Sequence, residues 1–121
     1  MRKGKKITGG IYHKQKKKKH SDLVRQARYT KLGEFKQKIL RGRGGKIKQV
    51  LLSTNIANII SVGKAKKVKI KTVVETPSNR FWARQNILTK SAIIDTELGK
   101  AKITNRPSQE GSVQAVLIEE K

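Results

Sequence analysis

The chain has 121 residues and carries 30 Lys and Arg against 8 Asp and Glu, a formal net charge of +22 at pH 7. It contains no cysteine, which excludes disulfide bonds, thiolate nucleophiles and cysteine-based zinc sites. No apolar run approaches the roughly 18 residues of a membrane helix, and no apolar stretch follows the basic N-terminus, so we expect a cytoplasmic protein without a membrane partner.

The positive charge is concentrated near the N-terminus. Residues 1–48 hold 18 Lys and Arg and two acidic residues, which gives a net charge of +16. Residues 49–121 hold 12 Lys and Arg and six acidic residues, which gives a net charge of +6. Such a chain repels itself when compact, and phosphate backbones are the commonest polyanions that neutralise it. A solvated tail is the alternative, but +16 exceeds what solubility requires. We therefore predict a nucleic-acid partner along residues 1–48.

Residues 1–33 are predicted to be a basic RNA-binding arm that is disordered when free. The lysine run at 16–19 and the Thr8-Gly9-Gly10 motif leave too few apolar side chains to offset the chain entropy. The glycines let the backbone approach a phosphate closely. Within the arm, residues 21–32 are predicted to form a short helix with Ser21 as its N-cap.

Residues 34–121 are predicted to be an all-β body, because short apolar segments alternate with glycine and proline turns. The predicted strands are 35–40, 47–53, 55–62, 65–75, 92–96, 100–104 and 113–118, with turns at 41–46, 97–99 and 107–111 and one helical turn within 79–87. This spacing indicates a small antiparallel β-barrel or sandwich of about six strands.

The clearest alternation lies in residues 65–75. There, Val68, Ile70, Thr72 and Val74 are expected to share one face, and the lysines the other.

Two further basic features lie in the β body. The turn at 41–46 offers arginine forks and exposed glycine amides to phosphates, although an ordinary basic hairpin is the alternative. Arg80 and Arg84 are four residues apart and share a helical face, where they could clamp phosphates or remain solvated. Phe81 and Trp82 are expected to plug the barrel, while an exposed Trp82 would stack on a base instead.

Nothing in the sequence indicates catalysis or a metal. His13 and His20 lack two further ligands and a rigid frame, and the acids match no catalytic motif. We therefore predict no enzymatic activity, no cofactor, no metal site and no small-molecule substrate. An RNA-modifying enzyme and a DNA-compacting nucleoid-type protein are the rival hypotheses, and composition alone does not separate the latter from an RNA-binding protein.

Several motifs resemble the S8e family of small-subunit ribosomal proteins, in its short archaeal form. They are Asn79-Arg80, Ala83-Arg84, Asn86-Ile87, Thr89-Lys90, Thr96–Ala101, Arg106-Pro107 and Val113–Leu117, with looser similarity at Thr8–Gly10 and Arg41–Gly45. The resemblance implies a structural ribosomal protein with a barrel-like body, an arm buried in ribosomal RNA, neighbouring ribosomal proteins and no catalysis.

We therefore expect phosphate and sugar contacts to small-subunit ribosomal RNA. The candidate RNA-binding residues are Arg2, Lys3, Lys5, Lys6, Thr8, Gly9, Gly10, His13, Lys14, Lys16, Lys17, Lys18, Lys19, Arg25, Arg28, Arg41, Arg43, Gly44, Gly45, Lys46, Lys48, Arg80 and Arg84.

Overall fold

The computed structural model describes residues 4–13, 16–23, 26–61 and 63–118, and these form nine strands and two short helices. The strands are β1 (Thr30–Leu32), β2 (Lys36–Arg41), β3 (Ile47–Thr54), β4 (Ile56–Ser61), β5 (Lys64–Glu75), β6 (Ile87–Leu88), β7 (Ile93–Thr96), β8 (Gly99–Ile103) and β9 (Gln114–Leu117). The helices are α1 (Arg80–Arg84) and α2 (Pro107–Glu110), and single 3₁₀ turns occur at His20–Asp22 and Arg43–Gly45.

Five strands form a closed barrel in the order β4-β5-β7-β8-β9, which confirms the predicted barrel. The neighbouring strands are antiparallel except where β4 closes on β9 in parallel, with Ile59 opposite Ala115. Large and small side chains alternate in the interior, as Ile59 and Ile94 lie with Ala101 and Ala115, all almost completely buried. Small residues leave the room that a five-stranded barrel needs.

The predicted apolar face of β5 is correct only as far as Ile70. The pairing of β5 with β7 shifts register between Ile70 and Thr72, which is the sign of a β-bulge. Beyond the shift Val73 is buried, whereas Val74 is half exposed. One inserted residue inverts the two faces of a strand, so the prediction for Thr72 and Val74 was wrong.

A second sheet, in the order β2-β3-β1-β6, packs on the barrel through Leu51 and Leu88. Its short strand β1 runs parallel to β3, and the buried Thr30 hydroxyl donates a hydrogen bond to the Leu51 carbonyl at 2.8 Å. Among the described residues of 21–32, the predicted helix is wrong: a 3₁₀ turn ends at Asp22, and residues 30–32 are extended. Val24 and Arg25 lie outside the described residues. The division at residue 33 stays a prediction.

The turn predicted at 107–111 contains α2, which packs on β3. Pro107 begins the helix, and Gly111 ends it with a left-handed backbone at φ 75°. A Cβ atom at Gly111 would lie 2.5 Å from Gln37 Nε2 and 2.9 Å from the Gln49 Cβ atom. Glycine is therefore required here both for its φ angle and for the close approach of α2 to the sheet.

In the part of the chain that the structure describes, no helix combines the length and the apolar character needed to cross a membrane.

We expect Gly111→Ala to lower the free energy of unfolding by about 2–5 kcal/mol, because a strained φ costs roughly 1–2 kcal/mol and overpacking against Gln37 and Gln49 about 1–3 kcal/mol. Gly63→Ala is the matched control, since Gly63 has a similar φ of 76° with nothing within 4 Å of a Cβ atom. Gly63→Ala should lower the free energy of unfolding only by the cost of the strained φ angle, about 1–2 kcal/mol. Denaturant unfolding measures both variants, and equal losses would show that the close approach contributes nothing.

Candidate nucleic-acid interface

The arm contains a small hairpin at its first glycine motif. Lys5 pairs with Ile11 in an antiparallel bridge, the Lys6 amide donates to the Gly10 carbonyl at 2.8 Å, and the Gly9 amide donates to the Lys6 carbonyl at 2.9 Å. Ile7 is fully exposed within this turn. The Lys6 ammonium lies 5.7 Å from the centroid of the Tyr12 ring. The hairpin therefore presents Lys5 and Lys6, both exposed, from a defined turn.

The lysine run at 16–19 is exposed along its whole length and leads directly into the 3₁₀ turn. Asp22 closes that turn: its carboxylate accepts from the Lys19 amide at 3.2 Å, and its own amide donates to the Lys19 carbonyl at 2.9 Å. The acidic residue in this stretch is thus engaged with backbone, and four adjacent ammonium groups face solvent.

The hairpin of β2 and β3 carries the second glycine motif at its tip. Gly44 and Gly45 have φ angles of 67° and 73°, as the sequence predicts for this turn. Residues 41–48 are all exposed. Ile39 and Ile47 are 66% and 68% exposed, so the end of the hairpin next to its tip is not covered by the body. The hairpin therefore presents two arginines and two lysines together: Arg41, Arg43, Lys46 and Lys48.

Helix α1 presents the predicted arginine pair. The Asn79 side chain caps the helix by accepting from the Phe81 amide at 2.9 Å. Arg80 and Arg84 line one cavity together with Phe81, and the Arg80 guanidinium lies 5.3 Å from the centroid of the Phe81 ring. Because Phe81 is 53% exposed, the prediction that it plugs the barrel was wrong.

Trp82 lies outside the barrel as well. It is half-buried and does not belong to the apolar core; its ring instead meets Tyr29, with centroids 5.3 Å apart and planes tilted by 58°. Ala83 is the α1 residue that packs against the core, and neighbouring side chains of a helix point about 100° apart, so Phe81 and Trp82 do not both face inward. The predicted plug is therefore replaced by an aromatic pair between the arm and α1.

Asn86 fixes the position of α1. It has a left-handed φ of 51°, which asparagine tolerates. Its side-chain oxygen accepts from the Val73 amide at 3.2 Å, and its carbonyl accepts from the Leu32 amide at 3.0 Å. One residue thus ties the end of α1 to β1 and to the bulged part of β5.

The structure brings some candidate residues together and leaves others apart. The arm hairpin, the lysine run, the β2–β3 tip and α1 are separate basic regions, and Arg2, Lys3, Lys14 and Arg25 lie outside the described residues. The described residues hold no group of three or more metal-ligating side chains.

Sequence reasoning missed a cluster around Arg28. Lys90 and Arg106 line a common cavity with it, and the motifs Thr89-Lys90 and Arg106-Pro107 were the available signal.

Comparison with known proteins gives a consistent result. The family model of ribosomal protein S8e matches residues 1–118. The small ribosomal subunit protein eS8 of Nanoarchaeum equitans is 46% identical over 115 residues, which cover 93% of this chain and 91% of that protein. The eS8 proteins of Methanocorpusculum labreanum and Methanococcus aeolicus are 44% and 46% identical, over 94% and 95% of this chain and 93% and 92% of their own lengths.

We expect Asn86→Ala to lower the free energy of unfolding by about 1–3 kcal/mol, since the Val73 amide loses its acceptor inside the body. Asn86→Asp retains an acceptor oxygen and a residue type that tolerates the left-handed backbone, so it should retain most of the stability. Denaturant unfolding compares the two variants. A full loss in Asn86→Asp would mean that this hydrogen bond does not hold α1 in place.

Proposed function

The chain belongs to the ribosomal protein S8e family, and we propose that it binds the ribosomal RNA of the small subunit through phosphate and sugar contacts made mainly by its first 48 residues. As a member of that family it is a structural protein of the small ribosomal subunit and not an enzyme. Its place is on the ribosome in the cytoplasm, with ribosomal RNA and other ribosomal proteins as partners.

One observation carries the proposal: every described Lys and Arg is exposed, including the 14 that fall within residues 4–48. None is buried within the fold, so these groups are available to an external polyanion. Each cation placed near a phosphate releases condensed counterions, which drives association and makes it salt-dependent. The density of charge in this stretch supports RNA as that polyanion.

The basic regions differ in shape, and each makes a different kind of contact with RNA. The arm hairpin and the lysine run supply point charges on a narrow chain that fits between RNA helices. The tip of β2 and β3 supplies guanidinium forks, which bind phosphate oxygens in pairs, beside glycine amides that a side chain would otherwise cover. Arg80 and Arg84 extend the contact to the barrel surface. Such contacts fix position and recognise RNA shape, since A-form helices hide their base edges.

We expect the affinity of the full chain for folded small-subunit ribosomal RNA to fall by roughly 10³–10⁵ between 50 and 200 mM salt, as for about 6–10 neutralised phosphates. Filter binding or fluorescence anisotropy measures this affinity at each salt concentration. Duplex DNA of equal length should bind more weakly at 200 mM salt. Equal affinity for both would favour a DNA-compacting protein.

We expect the fourfold variant K16Q/K17Q/K18Q/K19Q to reduce the slope of log affinity against log salt by about 3, because each lost phosphate contact removes slightly less than one unit. The matched control K66Q/K67Q/K69Q/K71Q changes the same charge on exposed β5 and should reduce the slope by less than about one unit. Equal reductions would mean that net charge, and not the lysine run, determines binding.

A further inference from the structure

A cavity between the arm and the two helices is lined by both aromatic and cationic side chains. It has a volume of about 310 Å³ and is built by four chain segments, at 28–30, 78–82, 88–90 and 106–109. This size is at the lower end for small-ligand sites and suits one nucleobase with its sugar. We propose that it binds a single unstacked nucleotide of the ribosomal RNA, a proposal that rests on the function argued above.

Aromatic surface forms one wall. Tyr29 and Trp82 line the cavity, and their rings are tilted by 58° and so do not close onto each other as a parallel stack. Tyr29 keeps 43% of its surface exposed. The sequence contains five aromatic residues in all, too few for a platform on which bases lie in a row, yet two of them meet here. A single base stacked on such a wall gains about 1–3 kcal/mol.

Three cationic side chains line the cavity. Arg28, Lys90 and Arg106 line the cavity and are all exposed, and none of the lining residues is acidic. Three positive groups without a counter-charge suit the phosphates on either side of an extruded nucleotide. The same groups disfavour an acid-free peptide or an apolar ligand. Arg80 and Arg84 lie on the same helix as Trp82, so the strand that leaves the cavity meets further cations.

The floor is formed before any ligand arrives. Thr30 and Leu88 lie opposite each other in the β1–β6 pairing, and both are buried with Pro107. The Thr30 hydroxyl already donates its proton to the Leu51 carbonyl, so it cannot donate a hydrogen bond to a base. Ser78, Ser108 and Gln109 are among the polar side chains in the wall, and they can read base edges. A preformed site lowers the ordering cost of binding.

Trp82 is the single tryptophan of the chain, so all tryptophan emission comes from one wall of this cavity. Titration of the full-length protein with small-subunit ribosomal RNA should quench the emission of Trp82 and reduce its access to acrylamide. Tyr29→Ala should weaken RNA binding by about 5- to 150-fold with the salt slope unchanged, since stacking is not electrostatic. Arg106→Gln should reduce that slope by about one unit.

Phe81→Leu is the matched control, because Phe81 is an exposed aromatic on the same helix that lines a different cavity. It should change the affinity much less than Tyr29→Ala and leave the quenching intact. Unfolding midpoints of the free variants show whether each remains folded, and the quenching of the unmodified chain does not depend on any variant.

The outcomes separate the two proposals. Strong, salt-dependent RNA binding with unchanged Trp82 emission would overturn the nucleotide cavity and leave the proposed function in place. An absence of RNA binding would overturn the proposed function itself. If Trp82 becomes protected only when other small-subunit proteins are added, the occupant is a protein segment and the nucleotide proposal is wrong.

Discussion

The structure depends on one electrostatic constraint, which is that a chain of net charge +22 cannot bury any of its cations without a counter-charge. All described Lys and Arg are exposed, so the core must be assembled from segments that point apolar groups one way and charges the other. Strands do this at every second residue. A closed barrel then hides the apolar face completely, which a flat sheet of this size could not do.

The same constraint bears on the proposed binding to RNA, because the exposed cations are the groups that would contact it. In the proposed function, the basic regions bind RNA by displacing counterions from its phosphates, and this contribution weakens as salt rises. The proposed nucleotide site beside Trp82 would add a second contribution, from base stacking, that salt leaves almost unchanged. A ribosomal protein with both can associate rapidly through charge and then be held in register by one nucleotide. In these proposals, the basic regions supply the long-range electrostatic attraction, and the cavity beside Trp82 supplies the local fit to one nucleotide.

Much of this fold follows from sequence patterns alone. The longer strands, the glycine turn at 44–45 and the helical turn after Pro77 are encoded by short-range periodicity and turn chemistry. The two-residue β6 and three-residue β1 are too short to carry a period, and their extended form comes from pairing partners distant in sequence.

The bulge in β5 has no composition signal, since it arises from pairing with β7. The candidate arginines could be named from residue type and spacing. The cavity could not be predicted in this way, because Arg28, Lys90 and Arg106 converge only after the sheets are assembled.

The parallel closure of β4 on β9 also constrains the timing of folding. Asn58 and Gln114 are partners although they lie 56 positions apart in the sequence, so the barrel is incomplete until the last strand has left the ribosome that synthesises it. Contacts this distant slow folding because a long loop must first be closed. Until then the apolar faces of β4 and β5 are open beside a dense row of lysines, and a nascent chain in this state is exposed to non-specific capture by any nearby polyanion.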